Sequence, residues 1–170
     1  MASFPDLSHA NSVKSDHELA MEFVERVVAD GVAAVAGLST ALGVRLGRYS
    51  AMAGAGHLTS VQLAGRIGLN ERYVRERLSG HVSGEYVQYG EDSDTYLLPD
   101  AHAAVLADPD SPSYAVGTSR SLGAFHGKED APAEAFRTAE RVGWQDYGTG
   151  LFEGTATLCR LGHAAALVSE

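Results

Sequence analysis

The stretch from Thr59 to Pro99 constrains the fold more than any other part of the chain. Thr59, with Gln62 three residues later, is a capping-box signature: a hydroxyl and an amide each satisfy a free backbone N–H at the start of a helix. That helix runs through Val61, Leu63, Ala64 and Ile67 until Gly68 ends it. Asn70 is a good N-cap for a second helix carrying Glu71, Arg72, Tyr73, Val74, Arg75, Glu76, Arg77 and Leu78. Two helices joined by a tight glycine turn form a helix-turn-helix pattern. Glu85 to Tyr89 then alternates as a strand, Gly90 to Asp94 is turn chemistry, and Thr95 to Leu98 is the return strand before Pro99. A helix-turn-helix followed by a hairpin is a winged helix. The expected fold class is therefore mainly α: a winged helix-turn-helix with a two-stranded β-hairpin wing, a long N-terminal helix and additional C-terminal helices.

Residues 1–15 read as a loose polar leader, and Asp16 is the expected N-cap of the long helix. Leu19, Phe23, Val27 and Val28 share one stripe of it, and beyond Asp30 the pattern turns apolar on nearly every side, through Val32, Val35, Leu38 and Leu42. A helix apolar all round must be covered all round. Two coverings are open, the centre of a monomer's core or the same helix of a second copy. Gly31 and Gly37 permit the close backbone approach that the second requires. The expectation is a homodimer on this helix, with Phe23, Val27, Val35, Leu38 and Leu42 as interface candidates.

The uncharged apolar run Gly31 to Val44 is too short and too rich in Gly, Ser and Thr to cross a bilayer, and no basic segment precedes it. With one cysteine, Cys159, no internal disulfide can form, and its expected state is a small buried hydrophobe. A soluble cytoplasmic protein without membrane contact is expected. On the C-terminal side, helices are expected over Ala101–Leu106, Tyr114–His126, Ala133–Arg141 and Leu151–Val168, with an aromatic loop at Trp144–Gly148. The resulting division is a leader at 1–15, dimerisation helices at 16–56, the winged helix at 57–99 and a helical segment at 100–170.

Several runs, in this order, resemble the N-terminal part of a family of bacterial class I S-adenosylmethionine-dependent methyltransferases. They are Leu46-Gly47-Arg48-Tyr49, Leu58-Thr59-Ser60, Glu71-Arg72-Tyr73-Val74-Arg75-Glu76, Leu97-Leu98-Pro99, His102 to Asp108, Ser111 to Tyr114 and Ala135 to Thr138. In that family a helical, winged-helix domain used for dimerisation and facing the substrate precedes a Rossmann-like catalytic domain. The resemblance implies that the strand and glycine-rich turn holding the cofactor lie outside this sequence. Neither Gly54-Ala55-Gly56 nor Gly148-Thr149-Gly150 has the strand-before, helix-after setting of such a turn. Ala139-Glu140-Arg141 and Leu158 to His163 depart from the family pattern on the side that would abut the catalytic domain. No cofactor is expected in this chain, and no catalytic or metal-ligating residue is assigned.

The histidines, His9, His17, His57, His81, His102, His126 and His163, are never three or four apart, so a helical metal site is not expected, and most read as surface or capping residues. Tyr114, Phe125, His126 and Trp144 are the candidates for a small-molecule surface, with core packing as the competing use. DNA affinity comes largely from Lys and Arg on phosphates. The chain has a net charge of -9, with 22 acids against 13 bases. Helix Asn70–Val82 has three arginines against two glutamates, a net of +1, while the wing carries Glu91, Asp92 and Asp94 and no base. The function expected is a non-catalytic fragment or short relative of a methyltransferase that dimerises and binds a small molecule. A winged-helix DNA-binding regulator and a cofactor-independent enzyme are the alternatives.

Overall fold

The computed structural model describes residues 14–167, with side chains described as far as Arg160. The expected leader up to position 13, His9 and the side chain of His163 lie outside the described residues. The chain divides into two units, residues 1–33 and 34–170.

The first unit holds most of helix α1, Asp16–Arg45, which at about 1.5 Å per residue is about 45 Å long. Its N-cap is Ser15 rather than Asp16. The Ser15 hydroxyl accepts from the Glu18 backbone N–H at 3.3 Å, and the Ser15 N–H donates to the Glu18 carboxylate at 2.7 Å. This reciprocal pair needs an acid three residues after the hydroxyl, a spacing that Ser15 has and Asp16 lacks. Every described residue up to Ala33 is exposed. By length and composition α1 is long and apolar enough to cross a membrane, contrary to expectation, because the helix extends well beyond the uncharged run that starts at Gly31.

The second unit begins with the last turns of α1, where Thr40 and Gly43 are buried. Then follow α2 (Arg48–Met52), α3 (Ser60–Ile67) and α4 (Glu71–Ser83). The punctuation read from the sequence holds. Thr59 accepts from the Gln62 N–H at 3.1 Å while the Gln62 side chain accepts from the Thr59 N–H at 2.9 Å. Gly68 closes α3 in the left-handed region at φ 65°, and Asn70 caps α4 through the Arg72 N–H.

The wing is shorter than its alternation suggests. Strands β1 (Gln88–Gly90) and β2 (Thr95–Leu97) pair antiparallel, with Tyr89 opposite Tyr96. Residues 85–87 are not strand, because Glu85, Tyr86 and Val87 donate their N–H groups back to Val82 and His81 at the end of α4. Leu58 pairs as an isolated bridge on the other edge of β2, exchanging both backbone hydrogen bonds with Tyr96 at 2.9 and 2.8 Å.

Helices α5 (Asp100–Leu106), α6 (Gly117–Phe125), α7 (Asp130–Thr138) and α8 (Thr149–Leu167) complete the chain. Helix α7 starts before and stops short of its expected span, because Ala139 turns left-handed at φ 60°. Helices α6 and α8 cross closely at two glycines. A Cβ on Gly117 would stand 2.5 Å from the Gly154 carbonyl oxygen, so the contact excludes any larger residue there. The main core gathers Tyr49 and Met52 from α2, Leu63 from α3, Val74 and Leu78 from α4, Tyr96 and Leu98 from the wing, and Ala103 and Leu106 from α5. It thus draws on residues either side of the 57–99 segment.

Candidate functional site

Helix α4 and the wing form the face a helix-turn-helix would present to DNA. On α4, Arg72 pairs with Glu76 at 3.0 Å and Arg75 with Glu71 at 3.5 Å, so two of its three arginines lie against carboxylates of their own helix. Glu71 also accepts from the Ser60 hydroxyl at 2.6 Å. The third, Arg77, donates to the Ser39 hydroxyl at 3.3 Å. On the wing Glu91, Asp92 and Asp94 are exposed, and Asp94 accepts from the Tyr89 hydroxyl at 2.9 Å. That bond, with the acids around it, pushes the Tyr89 phenol above its ordinary pKa.

Beneath α4 lies a buried polar cluster. Tyr49, His81 and Arg48 are 1%, 4% and 5% exposed. The Nδ1 of His81 lies 2.9 Å from the Arg77 carbonyl, which can only accept, so Nδ1 carries the proton. The single lone pair of Nε2 then faces two donors, Arg48 Nη2 at 2.9 Å and the Tyr49 hydroxyl at 2.5 Å. Arg48 Nη2 also reaches the Tyr49 hydroxyl oxygen at 3.1 Å. Burial, and then the Arg48 charge, lower the His81 pKa to about 4, so the ring is neutral near pH 7. Burial raises the Tyr49 pKa in the same way, and that phenol is neutral too. The guanidinium thus has only neutral partners: no carboxylate pairs with Arg48 among the described residues. Its Nε is buried and without any hydrogen-bond partner.

A cavity of about 350 Å³ opens beside this cluster, between the end of α1, the start of α2 and α4. Leu42, Gly43, Leu46, Leu69, Tyr73 and Val74 make most of its wall, and Arg48, Arg77 and Asn70 supply the polar part. Gly43 is required where it stands, since a Cβ there would lie 2.5 Å from Arg48 Nη2 and 2.8 Å from the Tyr49 ring.

Residues 33–108 match the family model of the Rv2258c-like winged HTH domain. This segment is a winged helix-turn-helix domain. The matched span contains the cluster, the cavity and nearly all of the main core. No curated protein matches the chain.

The winged-helix domain accounts for one of the four small-molecule candidates, since Tyr114 packs against its core. Phe125 instead stacks edge-on with Tyr147 at 5.0 Å, and Trp144 lies against Phe152 at 5.9 Å. His126 is exposed and bonds to the carbonyl of Leu122 in its own helix at 3.1 Å. The structure therefore forms two aromatic pairs and a core contact from these residues. Of the interface candidates, Phe23, Val27, Val35 and Leu42 are exposed and Leu38 is half-buried; Leu42 also lines the cavity beside Arg48. Gly37 serves a contact within the chain, because a Cβ there would meet Leu122 of α6 at 2.9 Å. Cys159 is exposed, contrary to the expected buried state. A helical cysteine carries no local signal of which face it occupies.

Neither Arg48 nor His81 stands out as a site residue in the sequence. His81 had a detectable signal, since Val74, Leu78 and His81 share the buried stripe of α4 at helical spacing. Arg48 had none: a lone arginine in a five-residue helix reads as solvated, and only contact with α4 reveals its burial.

Proposed function

We propose that this winged helix is an assembly and substrate-side module of the kind that precedes the catalytic domain in class I S-adenosylmethionine-dependent methyltransferases, acting as a soluble cytoplasmic homodimer. The observation that carries this reading is the exposed apolar row on α1: Leu19, Phe23, Val27, Val28, Val32 and Val35 are each half exposed or more. One helix cannot shield such a row, and the same row on a second copy can, by two-fold pairing. Lipid is a poorer covering. Glu18, Glu22, Glu25, Arg26 and Asp30 interrupt the first half of the helix, and Thr40 and Gly43 of its last turns are buried within the winged-helix unit. Methyl transfer and the cofactor belong, in this reading, to a catalytic domain rather than to these residues, and a small-molecule substrate would lie against the C-terminal helices.

DNA reading is the competing use. The carboxylates against Arg72 and Arg75 and the acidic wing oppose it, because both would meet phosphate. Sedimentation of the full chain should give a dimer at micromolar concentration, and a monomer at high micromolar concentration would end the proposal. In parallel, S-adenosylmethionine should show no micromolar binding by calorimetry. DNA should bind only weakly and without sequence preference; a tight, specific complex at physiological salt would replace this reading with a regulator.

A further inference from the structure

We propose that the cavity beside Arg48 binds an amphipathic carboxylate, an aryl- or medium-chain alkyl-carboxylic acid, with Arg48 and Arg77 on the carboxylate and Leu42, Leu46, Leu69 and Val74 around the apolar body. Buried charges in folded proteins are ordinarily paired, because taking a lone ion from water costs several kcal/mol. Arg48 is 5% exposed, its Nε has no partner, and the groups that do touch it, Tyr49 and His81, are neutral. An anion held in the cavity would give this guanidinium a charged partner.

Where the anion would come from is set by the cavity. Its lining contains two arginines and no acid, in a chain whose net charge is -9. A bare inorganic anion would leave most of the apolar wall uncovered, whereas an acid with a hydrocarbon body would cover it. The volume, about 350 Å³, lies at the small end of ligand pockets, which run from about 300 to 1,000 Å³. Gly43 holds the wall open by leaving room for the guanidinium. Planar bidentate recognition of a carboxylate is what a guanidinium does best. The inference rests on residues of the second unit alone and stands whether or not α1 pairs.

Calorimetry and thermal denaturation of the full chain with octanoate and phenylacetate, against octanol and inorganic phosphate, test it. At least one acid should bind saturably and raise the melting temperature, with octanol and phosphate each at least about tenfold weaker. Arg77→Ala should weaken binding about threefold to tenfold, and Arg48→Gln by more than about tenfold, as expected for losing a mouth and a buried charge. Leu46→Trp narrows the cavity with both arginines intact and should abolish binding while leaving the circular dichroism spectrum unchanged. It keeps the test decisive if Arg48→Gln does not fold. Absence of binding by both acids, octanol or phosphate binding as tightly as the acids, or unchanged binding in Arg77→Ala and Leu46→Trp would each overturn the proposal.

Discussion

The described part of the first unit and the winged-helix core are rich in the same residue types, and their side chains meet opposite fates. Phe23 is 63% and Val32 64% exposed, while Leu63 and Leu78 are wholly buried. The core brings short elements together from several directions, so each apolar side chain finds neighbours within its own chain. The described part of the first unit offers a single helix, which can shield nothing by itself. One region carries its stability internally, and the other holds apolar surface that only a further surface can remove from water.

The sharpest way to break that contrast is Val27→Asp. It should convert dimer to monomer in sedimentation, because two-fold symmetry makes each substitution count twice and strands two charges in an apolar interface. The denaturation midpoint of the winged-helix unit should not move. Leu78→Ala is the mirror experiment: urea unfolding should show a loss of about 2–5 kcal/mol, with the dimer retained once folded. If Leu78→Ala instead dissociated the protein without destabilising it, the division between the two regions would be wrong.

Acid separates the regions more gently. The folded pKa of His81, about 4, lies below its ordinary 6.5, so below pH 6.5 the unfolded chain takes up a proton that the folded one refuses. Stability from this group is fully present above pH 6.5 and falls by about 3 kcal/mol on reaching pH 4. Urea midpoints across that range should follow this slope, and His81→Phe should flatten it. The smallest effects are the two capping boxes. Thr59→Ala should cost the winged helix about 1 kcal/mol in urea unfolding, whereas Ser15→Ala should only fray the start of α1, seen as faster amide exchange over its first turn.

Local chemistry was the part of this protein open to sequence reading. The Thr59–Gln62 box, the Gly68 stop, the Asn70 cap and the wing turn involve groups at most a few residues apart, so their partners are adjacent in the text. The errors were local competitions. Ser15 displaced Asp16 as a cap because Glu18 can answer it, and residues 85–87 bonded back to α4 rather than joining β1. The acidic wing was likewise visible, since every residue of the turn projects from a short hairpin.

The sequence by itself thus determined the winged helix, its helix ends and the charge of the face it presents, because hydrogen-bond reach along a chain is short and hydrophobic period follows directly from residue order. The tertiary structure alone decided which apolar residues are used internally, separating Leu63 and Leu78 from Phe23, Val27 and Val35. It alone also placed Arg48 against His81, 33 positions away, and set Leu42, Leu46 and Leu69 along the cavity beside Arg48. Burial is a property of where distant segments meet, and a residue's own neighbours in the chain carry no record of that.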